Sequence, residues 1–285
     1  MPIVDSCYDR GQFFIPLSLN GSMPHHFILD TGAGISAIDA ALAVKLQLPV
    51  IGRTELAGTG GVFDVDKVRI GRMQPLRRGR GVDELAWYGL TPTVQDLSPF
   101  VVPGIDVGEA GLLGNDYLQS FILQMQFNPP LLEITRPTGF FPPGTDPQRF
   151  IPFSLDRSTI IRVKATLDGW METELRFDTG SATMTIDGPY LNITRAMWQA
   201  LCARHPEYRV HHQLEAHGIG GPVKLDVGRV GRFDLGPLHF GETSVVIQPP
   251  SGIFASPDAI GFVALNLFEG DQWLTFDYPN GRLYL

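Results

Sequence analysis

Cysteine is almost missing from this chain: two of its 285 residues, Cys7 and Cys202. They lie far apart, outside any CxxC or Cys/His spacing, which excludes a disulfide framework and a zinc centre and leaves a thiol nucleophile unsupported. Charge is scarce as well, at 18% of residues with a net value of −8. An acidic chain whose densest cationic stretch is Arg77, Arg78 and Arg80 has no basic stripe to follow a phosphate backbone, so no nucleic acid is expected as a partner. No apolar run approaches the roughly 18 residues of a membrane helix, so no membrane insertion is expected. The opening residues carry Asp5, Asp9 and Arg10 where an export signal has its apolar segment. As written, the chain reads as soluble and cytoplasmic; a periplasmic or secreted location stays open if a leader was trimmed.

What the chain has is 44% apolar residues, 32 glycines and 23 prolines. That composition suits a turn-rich folded protein and excludes an all-helical chain, a coiled coil or a disordered segment. It also has an internal repeat. Residues 30–39 read DTGAGISAID and residues 178–187 read DTGSATMTID, identical at five of ten positions. Residues 60–72, GGVFDVDKVRIGR, match residues 220–232, GGPVKLDVGRVGR, without a gap. The triplets Leu112-Leu113-Gly114 and Ala259-Ile260-Gly261 follow their DTG aspartates by 84 and 83 residues. The halves read as duplicates whose length differences sit in loops.

Short apolar runs bounded by turn residues, such as QFFIPLSL, DVDKVRI, FILQMQF, SVVIQ and WLTFDY, predict strands. The fold expected is all-β, mainly β with a few short helices, arranged as two small closed β-barrel lobes. The Pro-rich stretch 136–148 predicts a linker between a lobe over 1–135 and a lobe over 149–285. The second half has room for a helix within residues 192–205, with Asn192 as its N-cap and Met197, Leu201 and Trp198 on its apolar face. The extra first-half segment, 75–108, reads as loop.

In both copies an aspartate ends an apolar segment and enters a turn that glycine permits, which places a carboxylate in a cleft. If a pseudo-twofold axis relates the halves, Asp30 and Asp178 meet on it, share one proton and divide the roles of acid and base. Such a pair activates water against an amide carbonyl without metal or covalent intermediate, so no cofactor and no metal are expected.

With these motifs the chain resembles the retropepsin-like aspartic proteases of bacteria more than the longer pepsins. The resemblance rests on DTGA at 30–33, DTGS at 178–181, the triplets ending at Gly114 and Gly261, and GTGG and GIGG at 58–61 and 218–221. It implies an aspartic endopeptidase with Asp30 and Asp178 as catalytic residues and Thr31, Gly32, Ala33, Thr179, Gly180 and Ser181 in the supporting turns. Gly114 and Gly261 become the glycines of the loops behind those turns. Gly58, Gly60, Gly61, Val62 and Phe63, with Gly218, Ile219, Gly220 and Gly221, become two flaps over an extended peptide or protein substrate. The chain would act as a monomer, an intrachain pseudo-dimer; a homodimer pairing equivalent halves is the rival assembly. In the family a hydroxyl at the Ser181 place bonds its own aspartate, which would make Asp178 the ionised member.

Arg176 departs from the family pattern, standing where an apolar residue is usual, as do Gly34 and Ala182 after the motifs. Arg176 motivates an alternative, a catalytically silent peptide-binding module on the same fold. Asp39 and Asp187 read as helix caps or turn residues, and His211, His212 and His217 as surface histidines of an insertion. The sequons at Asn20 and Asn192 read as chance matches.

Overall fold

The computed structural model describes residues 3–100, 110–139, 149–182, 186, 188–269 and 273–285. Both halves carry the same local device ahead of the DTG turn. In the first, strand Gln12–Leu19 turns through Asn20 and Gly21 (φ 51° and 81°) and returns as His25–Leu29. In the second, Ile161–Leu167 turns through Asp168 and Gly169 (φ 50° and 69°) and returns as Met171–Phe177. Asn-Gly and Asp-Gly accept two successive positive φ angles, which match the twist of the strands they join. Each return strand delivers one DTG aspartate.

The molecule is mostly β. Fifteen strands form one sheet and eleven another, and among the described residues neither closes on itself. The closed barrels expected from sequence are therefore replaced by open sheets. The physical reason lies at the edges: the smaller sheet ends at Val50–Ala57, which pairs with Val62–Val68 on one side and, among the described residues, with no strand on the other.

Strands from both ends of the repeat share the larger sheet. Ile122–Gln126 of the first half pairs antiparallel with Leu274–Asp277 of the second, and Phe150–Leu155 pairs with Arg282–Tyr284. Buried apolar side chains from both halves, including Phe13, Phe27, Tyr117, Phe177 and Phe276, belong to one continuous core. Burying a side chain of this size contributes about 1.5–3 kcal/mol, so the halves are held by more than their linker.

The structure corrects three local expectations. Asn192 lies in strand Tyr190–Thr194, fully buried, with its Oδ1 accepting from Gln248 Nε2 at 2.8 Å. The helix runs over Arg195–Arg204, and its N-cap is Thr194, whose hydroxyl accepts from Met197 N at 3.2 Å. The supposed loop over 75–108 contributes strands Trp87–Leu90 and Thr93–Gln95 to the smaller sheet. Asp39 does cap helix Ala40–Lys45, accepting from Ala41 N and Leu42 N; its counterpart Asp187 lies outside the described residues. So do 140–148 of the linker, while Pro137–Gly139 forms a short 3-10 turn.

Candidate active site

Strand ladders bring the two DTG turns together. Asp30 N donates to Leu113 O (3.0 Å) and Asp178 N to Val263 O (2.9 Å). The supporting strands Gly111–Leu113 and Phe262–Val263 run parallel to His25–Leu29 and Met171–Phe177. This register corrects the triplet alignment. Leu113 pairs with Leu29 and Val263 with Phe177, so Gly261 is the counterpart of Gly111, and Ala264 takes the place of Gly114. The two glycines meet different neighbours. A Cβ at Gly114 would lie 2.7 Å from Ala33 O, behind the first DTG turn, whereas one at Gly261 would strike the backbone carbonyl of Asn192.

Four hydrogen bonds lock the turns to each other. Thr31 N donates to Thr179 Oγ1 and Thr179 N to Thr31 Oγ1, both at 3.1 Å. The hydroxyls pass the contact on, Thr31 Oγ1 to Phe177 O at 2.8 Å and Thr179 Oγ1 to Leu29 O at 2.5 Å. Both threonines are fully buried. Within each turn the glycine N–H binds its own aspartate: Gly32 N to Asp30 Oδ1 (2.8 Å) and Gly180 N to Asp178 Oδ1 (2.9 Å).

The same glycines set the approach of the carboxyls. A Cβ on Gly32 would lie 2.6 Å from Asp178 Oδ1, and one on Gly180 2.5 Å from Asp30 Oδ1. Each carboxyl thus packs on the other turn's glycine, a proximity that no other residue permits.

Burial pushes Asp30 well above the usual carboxylate range, and the neighbouring Asp178 charge pushes it further. Burial also raises Asp178, but Gly180 N–H, the Asp30 carboxyl, Ser181 N–H and the Arg176 charge all favour its anion. Burial and their mutual repulsion keep the two carboxyls from ionising together, so the pair shares one proton. Among the described residues the backbone N–H of Ser181, not its hydroxyl, makes this contact, and the Arg176 charge is the influence on Asp178 that has no counterpart at Asp30. Ala33 supplies the corresponding N–H to Asp30.

A cleft opens in front of the pair, walled by Arg10, Gln12, Ile28, Thr59, His217 and Ile219 among others. Over it stand two hairpins. Val50–Ala57 and Val62–Val68 join through Gly58 to Gly61, and His212–Gly218 and Gly221–Val230 join through Ile219 and Gly220. Their tips touch: Gly60 N donates to Ile219 O at 2.9 Å, and Phe63 sits against Gly220. Val62 is exposed beside the tip. His211, His212 and His217 are exposed around this second hairpin, and His217 lines the cleft.

Sequence reasoning missed several residues here. Gln12 Nε2 donates to Gly180 O at 2.5 Å, bridging the halves directly under the second turn. Tyr278 OH donates to Asn115 Oδ1 at 2.7 Å, and Asn115 Nδ2 donates to Thr31 O at 2.8 Å, all buried. One further signal was available: Asp9-Arg10 recurs as Asp156-Arg157, each pair ahead of the strand that leads into its DTG hairpin, Gln12–Leu19 and Ile161–Leu167, and Arg10 lines the cleft.

Nothing among the curated proteins matches this chain. Among solved structures, the crystal structure of a retropepsin-like aspartic protease from Rickettsia conorii matches with a TM-score of 0.33 and 15% identity, covering 48% of this chain and 98% of that chain. An aspartyl protease family model matches residues 15–117. Over that span, which holds Asp30-Thr31-Gly32, the first hairpin tip and Gly114, the chain is similar to the aspartyl proteases.

Proposed function

We infer that the chain is an aspartic endopeptidase of two lobes, 1–135 and 149–285, joined by the linker 136–148 and related by a pseudo-twofold axis between Asp30 and Asp178. The reading rests above all on the reciprocal approach of the two DTG turns, in which each carboxyl packs on the other turn's glycine. A turn of purely structural purpose gains nothing from pressing two acids together, since a second carboxyl at that range makes the first harder to ionise. An extended peptide lies in the cleft beneath two flaps, the hairpins tipped by Gly60 and Gly220. The active species is a monomer carrying one site.

In the reaction, the Asp178 carboxylate takes a proton from a bound water while the Asp30 carboxyl donates its proton to the amide oxygen. The water oxygen bonds to the carbonyl carbon, giving a neutral gem-diol. A proton then passes to the amide nitrogen, the C–N bond breaks, and acid and amine leave with the dyad again sharing one proton. Gly32, Ala33, Gly180 and Ser181 hold the carboxyls through backbone N–H groups, and no step requires a metal.

Incubation with an unfolded protein at acidic pH, with and without a statine-type inhibitor, tests the activity. Inhibitable cleavage supports it. Absence of cleavage together with retained peptide binding supports the silent module instead, and sedimentation at low concentration separates monomer from homodimer.

A further inference from the structure

The two sides of the dyad differ in one respect that the duplication makes plain. Two residues before each DTG aspartate stands a side chain on the same strand face as the carboxyl: Ile28 in the first half, Arg176 in the second. Ile28 lines the main cleft beside Arg10 and Gln12. Arg176 lines a separate open hollow of ≈ 550 Å³ formed with Leu155, Asp156, Arg157, Ser158 and Arg162. Arg157 is the repeat counterpart of Arg10, so the hollow is the second-half equivalent of the wall at Ile28.

Its charges do not cancel. Asp156 is already committed: Oδ1 accepts from Ser158 N (2.8 Å) and Ile160 N (3.1 Å), and Oδ2 takes Arg162 at 3.2 Å. Arg162 in turn reaches Glu174 at 3.5 Å. Arg176, paired across the strands with Arg162, has no ion pair or side-chain hydrogen bond among the described residues, and its Nε is buried without a partner. A half-buried guanidinium that lines a hollow and bonds no acceptor of its own, with Asp156 and Asp178 acting on its charge without a hydrogen bond, is a receptor for an anion, and its planar fork suits a carboxylate.

We propose that this hollow binds a carboxylate of the peptide substrate, so that the enzyme selects acidic peptides at the subsite on the Asp178 side of the scissile bond. The proposal rests on the peptidase reading for the word substrate, but the recognition itself is a binding event and is tested without catalysis. Two sources supply the same chemistry: an Asp or Glu side chain, or the free C-terminus of a short peptide.

The test uses the full chain carrying Asp30→Asn, immobilised and equilibrated with a proteome-derived peptide library in which half of each peptide is C-terminally amidated. Bound and unbound fractions are read by mass spectrometry. At least tenfold enrichment of Asp and Glu over Asn and Gln supports a side-chain pocket, and equal enrichment of free over amidated C-termini supports the terminal carboxylate. Either preference should vanish on adding Arg176→Ile, which copies Ile28, and persist with Arg176→Lys. No carboxylate preference in the Asp30→Asn protein overturns the proposal, as does a preference that survives Arg176→Ile. Cleavage by the unmutated enzyme is measured separately: acidic selection without any cleavage sinks the peptidase reading and leaves the pocket standing.

Discussion

Thr31 and Thr179 each donate a backbone N–H to the other's hydroxyl at 3.1 Å, across 148 residues of sequence. The exchange fixes where two turns from different halves sit before any substrate arrives. Because each hydroxyl also donates to a carbonyl of the opposite strand, at Phe177 and Leu29, neither turn can shift without breaking bonds on both sides.

Removing one hydroxyl should therefore be expensive. Thr31→Val keeps the side-chain shape but leaves Thr179 N–H and Phe177 C=O buried without partners, at about 1–3 kcal/mol each. A loss of about 2–5 kcal/mol is expected in urea unfolding. The double variant Thr31→Val/Thr179→Val should lose less than the sum, because the two residues are in contact and each is the other's partner. Strict additivity would show that the grip does not act as a unit.

Asp30→Asn and Asp178→Asn should each lower peptide cleavage by about 10²–10⁴, with circular dichroism unchanged. Asn retains an oxygen for the glycine N–H of its turn but cannot share or transfer the proton. Near-complete activity in either variant, in a protein that is folded and free of wild-type contamination, contradicts the dyad.

The same Asp30→Asn substitution makes a stability prediction of defined sign. The folded-state pKa of Asp30 lies well above its unfolded value because of burial and the Asp178 charge. Its contribution to stability is fully present below the unfolded pKa, near 4, and is lost as pH rises through the folded value. Asn carries no such penalty. Asp30→Asn should therefore melt higher than wild type at neutral pH and show a smaller advantage, or none, near pH 3.5; equal advantages at both would mean that ionisation at this site is not what costs stability.

How much of this was open to sequence depended on whether a residue is read from its spacing or from the approach of the halves. Asp30 and Asp178 were legible because the repeat keeps their surroundings: an apolar strand before and a glycine turn after. The hairpin tips at Gly60 and Gly220 were legible for the same reason. Gly261 was matched to the wrong partner because glycine identity outweighed the ladder, which only the pairing of Val263 with Phe177 reveals. Asn192 looked like a cap because it precedes a helical pattern, yet Thr194 takes that role and Asn192 is drawn into a buried strand pair with Gln248. Gln12 on Gly180 and Tyr278 on Asn115 span 168 and 163 residues. No local period encodes such contacts; they exist only once the halves have docked.

The hairpin tips supply a paired test. A side chain at Gly60 would come within 2.5 Å of Gly221 N and 2.6 Å of Gly220 C, whereas one at Gly61 meets nothing nearer than Gly220 O at 3.8 Å. Gly60→Val should hold the tips apart and lower kcat/KM at least about tenfold with little loss of global stability, since the tip adds nothing to the core. Gly61→Ala should stay close to wild type. Equal kinetics for the two would separate tip contact from catalysis.

Arg176 and Ser181 make different predictions about the acid limb of the pH–rate profile. That limb marks the first ionisation of the fully protonated dyad, and whatever favours the resulting anion places it at lower pH. The Arg176 charge favours the Asp178 anion, whereas Ser181 contributes through its backbone N–H, which substitution leaves in place. Arg176→Leu should therefore move the acid limb to higher pH, because the anion loses a positive neighbour, and Ser181→Ala should leave the limb where it is. The profiles are to be measured with a peptide lacking acidic residues, so that any carboxylate pocket at Arg176 does not mix substrate binding into the titration. A limb displaced by Ser181→Ala and unmoved by Arg176→Leu would mean that the hydroxyl, not the guanidinium, divides the roles of the two carboxyls.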